Sequence, residues 1–124
     1  MSELQIRPTV ATDLTRLMGI DHSMISDAVW QLEVRRNTGQ VAVTFREVRL
    51  PREIQVPYPH NHFALADDWV NRSMMYTAIT SGEPVGYISL LERGTASTVW
   101  VLDLAIDVKY RRRGVAVALL ASAQ

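Results

Sequence analysis

Apolar and polar residues alternate over Leu4–Arg7 and stop at Pro8. This predicts a short strand at a sheet edge, since proline has no N–H to give to a central ladder. Thr12 or Asp13 is a suitable helix cap, and Leu14, Leu17, Met18 and Ile25 recur at helical spacing. The spacing predicts a helix from about Asp13 to Ile20 and allows a second one to about Asp27, with the apolar stripe packed on a sheet. Period-two alternation then runs through Val29–Val34 and Val41–Leu50 around the turn-forming Arg35–Gln40, a hairpin pattern. Pro51–Asp68 holds three prolines and two histidines with little periodicity and reads as a long loop. A second hairpin is predicted from Met75–Ile79 and Val85–Leu90 around Ser81-Gly82-Glu83-Pro84. Glu92–Ala96 reads as a connection. Thr98–Ile106 is apolar on both faces and reads as a central strand. A basic turn, Lys109–Ala116, leads to a last segment, Val117–Ala123, rich in helix formers.

Composition narrows the classes. The 124 residues, 48% hydrophobic and 21% charged, suit one globular domain. Thirteen basic residues balance thirteen acidic ones, which argues against broad capture of nucleic acid or of an anionic membrane. Without cysteine there is no disulfide, thiolate metal site or cysteine nucleophile. No apolar run approaches the roughly 20 residues that span a bilayer, and Met1–Arg7 lacks a signal-peptide layout. A soluble cytoplasmic protein is expected.

The basic turn carries the chemistry. The first amides of a helix lack intrahelical partners, and the helix dipole adds partial positive charge there. Gly114 and Ala116 would let a phosphate approach that backbone, with Val115 turned to the core. Arg111, Arg112 and Arg113 are unfavourable at a helix start by about 0.3–1 kcal/mol each, a conflict that a bound polyanion would turn into attraction. The alternative is an exposed, solvated turn.

Leu104–Ala116 followed by Ala118-Leu119-Leu120 resembles the acetyl-coenzyme A signature of the GNAT N-acetyltransferase superfamily. That signature runs Arg or Gln, two free positions, Gly, one free position, then Gly or Ala, and Arg111, Gly114 and Ala116 match it. The upstream order of strand, helices, hairpin and strand is also similar, with about 28–68 as an inserted or diverged hairpin and loop. The resemblance implies a single, mixed α+β domain over 1–124, with a mostly antiparallel sheet and flanking helices. It implies acetyl transfer from acetyl-coenzyme A, as co-substrate, to an amine of a small molecule or peptide. Backbone amides of Arg112, Arg113, Gly114, Val115 and Ala116 would hold the pyrophosphate, with Arg111 in the signature. Backbone groups of Leu104, Ala105 and Ile106 would pair with the pantetheine arm, and an amide near Ile106 would polarise the thioester oxygen. The family usually carries a bulge in this strand that opens the cofactor cleft.

Val108 and Arg112 stand where the family often has proline and glycine. The chain resembles the N-terminal portion of a GNAT domain, C-terminally truncated, because the family continues with a longer helix, a neighbouring strand, a further helix and a hairpin. Such a chain would leave the Val99–Ile106 strand with an open edge. A homodimer covering that edge is one expectation, and a shortened piece of a longer product is the other. A catalytically incompetent module that binds acyl-coenzyme A or dimerises is the alternative function.

Deprotonating the amine calls for a carboxylate, histidine or ordered water. Asp103, an acid inside an apolar strand, is the first candidate, and a simple strand-end carboxylate is its other reading. Glu47 is the second, or else part of a solvated face with Arg46 and Arg49. His60 and His62 have the spacing of a metal pair but lack a third and fourth ligand, so no metal is expected. They read instead as a substrate-side or ordinary surface loop. Trp30, Trp69 and Trp100 read as packing residues and His22 as a helix-end residue.

Overall fold

A computed structural model describes residues 3–92 and 98–124. They divide into two compact units, 1–22 with 58–124, and 23–57. In the first unit, strand β1 (Leu4–Pro8) leads through a short turn to helix α1 (Leu14–Gly19). The second unit consists of β2 (Met24–Asn37) and β3 (Gln40–Val56). The chain then returns through helix α2 (Leu65–Asp68), hairpin β4 (Met74–Thr80) and β5 (Glu83–Glu92), strand β6 (Val99–Ile106) and helix α3 (Val115–Ser122).

The sheet of the first unit has the order β1-β4-β5-β6, every pair antiparallel. Side chains alternate across it and build two cores. Leu14, Leu17, Ile20 and Leu65 pack with Met75, Tyr87 and Ala105 on one face. Val115 and Leu119 of α3 pack with Ala78, Val85, Ile88, Leu90 and Ile106 on the other. Ser81 and Gly82 both take left-handed φ angles, 52° and 75°, as a two-residue turn between right-twisted strands requires.

Several boundaries differ from the sequence pattern. The segment allowed as a second helix is the start of β2, so Ile25 belongs to a strand rather than to the α1 stripe. The loop expected from Pro51 is strand as far as Val56. Its pairing shifts from Ala28–Arg49 to Ser26–Ile54, so Pro51 falls where the ladder is interrupted and no N–H is needed. β6 is apolar on both faces as expected, but within the described sheet it is an edge paired only to β5. The connection expected at Glu92–Ala96 lies, beyond Glu92, outside the described residues.

The second unit is a two-stranded ribbon. Leu32 stands opposite Phe45 and Val34 opposite Val43, so these four share a face, and all are exposed; Phe45 is 65% exposed.

Candidate active site

β6 delivers both halves of the site. At its end, Asp107 accepts from the Lys109 amide and turns the chain. Arg111 then folds back: its Nε donates to the Ile106 carbonyl at 2.8 Å and a terminal nitrogen donates to the Asp21 carbonyl at 2.9 Å. The signature arginine is therefore a brace that fixes the turn to the end of β6. Arg112 takes a left-handed φ of 61° and Gly114 one of 83° as the N-cap of α3. This double reversal costs about 1–2 kcal/mol at a residue with a side chain, and it aims successive N–H groups outward. Val115 is buried against the sheet, and Arg113 lies over the Tyr110 ring at 5.6 Å.

The result is a hollow of about 230 Å³ lined by Ile106, Tyr110, Arg111, Arg112, Gly114, Val115, Ala116 and Val117. No hydrogen bond among the described residues engages the main-chain N–H groups of Arg112–Ala116. The space into which a Cβ on Gly114 would project is open. Leu104, Ala105 and Ile106 lie just upstream on the open-edged strand, where alternate backbone groups face away from β5. Unengaged donors, a cationic rim and a free strand edge fit a diphosphate carrying an extended amide arm.

Further back along β6 the pairing shifts by one residue, from Ser89–Asp103 to Leu90–Val101, leaving Leu102 as a bulge. Asp103, 5% exposed, is held by four groups. Ser89 Oγ, directly opposite, donates to Oδ2 at 2.8 Å. Tyr58 Oη and His60 Nδ1 donate to Oδ1 at 2.9 and 2.8 Å. Arg72 stands 3.7 Å from Oδ2. Burial pushes the Asp103 carboxyl up, but the hydrogen bonds from His60, Ser89 and Tyr58 outweigh it and hold the group below its ordinary value. Burial, and then the Asp103 charge, push the Tyr58 and Tyr87 hydroxyls upward, so both stay protonated.

Asp103 forms the floor of a cavity of about 340 Å³, lined also by His60, His62, Asp68, Arg72, Tyr87 and Leu102. The buried Nε of Arg72 has no hydrogen-bond partner there. Behind it, His22 stacks on His62 with ring centroids 3.8 Å apart and 14° between planes. His22 Nδ1 contacts the Ile20 carbonyl oxygen at 2.9 Å, and Nε2 meets Tyr87 Oη at 3.0 Å. The carbonyl can only accept, so Nδ1 carries the proton and Nε2 accepts from the tyrosine.

His60 and His62 thus serve different partners, Asp103 and the Met18 carbonyl. Among the described residues no group of three or more metal-ligating side chains converges. Glu47 belongs to the other unit, exposed on β3 opposite Trp30. The sequence pattern did not reveal Ser89, Tyr58, Arg72 or Tyr87 as site residues. Tyr58 and His60 lie 45 and 43 residues from the acid they bind, a distance that no periodicity bridges.

The chain is similar to several solved acetyltransferases. One, nourseothricin acetyltransferase, aligns over 97% of this chain and 64% of its own at 22% identity, with a TM-score of 0.76. A putative streptothricin acetyltransferase from Bacillus anthracis str. Ames, in complex with acetyl coenzyme A, aligns over 98% and 66% at 25% identity, with a TM-score of 0.66. Diaminobutyrate acetyltransferase from Paenibacillus lautus, in complex with L-2,4-diaminobutyric acid and coenzyme A, aligns over 98% and 57% at 22% identity, with a TM-score of 0.54. The chain thus spans just under two thirds of the first two and a smaller share of the third. No curated protein matches it significantly. No helix among the described residues is long and apolar enough to cross a membrane. The model of the acetyltransferase (GNAT) family matches residues 42–124, a stretch that contains the braced turn, the hollow and Asp103, and the chain belongs to that family.

Proposed function

We propose that the chain transfers an acetyl group from acetyl-coenzyme A to an amine. The observation that carries this reading is the row of unengaged main-chain N–H groups from Arg112 to Ala116 around an open hollow, at the position of the family signature. Arg112 and Arg113 add charge for the diphosphate, and Arg111 holds the turn in shape. Leu104–Ile106 offer outward backbone groups to the pantetheine arm. When bound, acetyl-coenzyme A supplies the activated acyl carbon as a thioester.

The cavity above Asp103 is the acceptor side of this reading, because its buried charge favours a cationic amine at its mouth. The amine itself is drawn from small molecules or peptides. Streptothricin and L-2,4-diaminobutyric acid, which appear in the names of similar proteins, head the panel to be tried. The open edge of β6, with Val99, Trp100 and Val101 exposed, supports pairing with a second copy of the chain.

Calorimetric titration with acetyl-coenzyme A, followed by thiol release with the amine panel, tests the reading. Binding with transfer to at least one amine is expected. Binding without transfer to any amine leaves an acyl-coenzyme A-binding module, and no binding removes the assignment of the hollow. Gly114→Val is expected to weaken binding at least tenfold, since its side chain would enter the open space before the amides.

A further inference from the structure

We infer that His60 is the general base that deprotonates the acceptor amine, with Asp103 as its positioning residue. This rests on the acetyltransferase reading above and goes beyond it by assigning the proton. A carboxylate can only accept, so the 2.8 Å contact with Asp103 places the imidazole proton on Nδ1 and leaves the lone pair on Nε2. No hydrogen bond among the described residues uses that Nε2. The side chain is 58% exposed and lines the cavity beside Leu102, at the bulge of β6. Asp103 is in the reverse situation: nearly enclosed, with both oxygens occupied by donors. Enclosed and held below its ordinary basicity by these donors, it is a poor base, but it is well suited to fixing one tautomer of His60. Ser89 and Tyr58 in turn fix Asp103, and the edge of the Tyr58 ring meets the imidazole at 5.8 Å. The other charged or titratable groups lining the same cavity are Arg72, Asp68, His62 and Tyr87.

The proton and electron pairs balance as follows. The ammonium form of the acceptor gives one proton to His60 Nε2. The freed nitrogen lone pair forms the C–N bond at the acyl carbon of the thioester. The C–S bond then breaks, its electron pair leaves on sulfur, and that thiolate takes the second nitrogen-bound proton. His60 returns its proton to solvent.

The test compares wild type with His60→Gln and Asp103→Asn. His60→Gln is expected to lower kcat for an acetylated amine by about 10²–10³-fold, with acetyl-coenzyme A affinity unchanged. Nitrogen-15 spectra of the free wild type should show the proton of neutral His60 on Nδ1, and Asp103→Asn should scramble that preference. If Asp103→Asn does not fold, the exposed His60 variant and the wild-type spectrum still decide. A His60→Gln kcat within threefold of wild type, or a wild-type His60 protonated on Nε2, overturns the assignment and leaves the acetyltransferase reading standing. Wild-type protein that binds acetyl-coenzyme A but acetylates no amine overturns both.

Discussion

Arg7 and Asp13 meet through two parallel hydrogen bonds of 2.7 and 2.8 Å, and the Val10 amide adds a third at 2.9 Å. These bonds join β1 to the start of α1 around an acid that is almost fully buried. Asp13→Asn keeps the volume but loses the charge-assisted fork, and it should lower stability by about 2 kcal/mol in urea unfolding. His22 provides a different handle. Burial lowers its basicity in the folded chain, so as pH falls the unfolded chain takes up the proton first. Stability should therefore be fully present above about pH 6.5 and fall as pH drops below it. The depressed carboxyls of Asp13 and Asp103 add a second loss, which begins near the ordinary carboxylate range and continues down through their folded values. His22→Gln should remove the first phase of a melting-temperature titration and leave the second.

Two glycines decide how elements meet. A Cβ on Gly86 of β5 would lie 2.7 Å from Ile106 Cδ1 and 2.9 Å from the Ala105 carbonyl oxygen, so β5 and β6 approach closely only because that atom is missing. Gly86→Ala should cost roughly 1–3 kcal/mol and, by shifting the end of β6, weaken acetyl-coenzyme A binding as well. Gly114 has open space but a φ of 83°, so Gly114→Ala should cost about 1–2 kcal/mol through backbone strain, read as a small fall in melting temperature. Elements with one strong local signal were legible in the sequence. The β4–β5 hairpin announced itself through Gly82 and alternation, and α3 through the small residues after the basic turn. The start of β2 was not legible, because Ile25 fits both a helical stripe and a strand. Nor was the far end of β3, because Pro51 marks a break in the ladder as readily as a loop. The acid network stayed hidden for another reason: Ser89 and Asp103 are ordinary strand residues until cross-strand pairing sets them face to face.

For the whole molecule, unpaired apolar surface is the main liability. The β2–β3 ribbon carries Leu32, Val34, Val43 and Phe45 on one exposed face, and isolated two-stranded ribbons are marginal in water. β6 adds an exposed edge of Val99, Trp100 and Val101. Sedimentation velocity of the chain should show concentration-dependent association, and Val101→Lys should shift it toward monomer if the β6 edge is the contact. An unchanged distribution would remove that edge from consideration.

The single extra residue at Leu102 has a consequence for how β6 can change. Asp103 stands opposite Ser89, whereas Val101, two residues earlier, stands opposite the next residue, Leu90. The strand changes parity at the bulge, as a zip does when one tooth is skipped. Excising Leu102 would restore a single rhythm and force one half to rotate: either Asp103 leaves its nest or the outer valines turn inward. Substitutions before the skipped tooth can therefore reshape the rim without disturbing the acid, and the length of the segment constrains it more than its spelling.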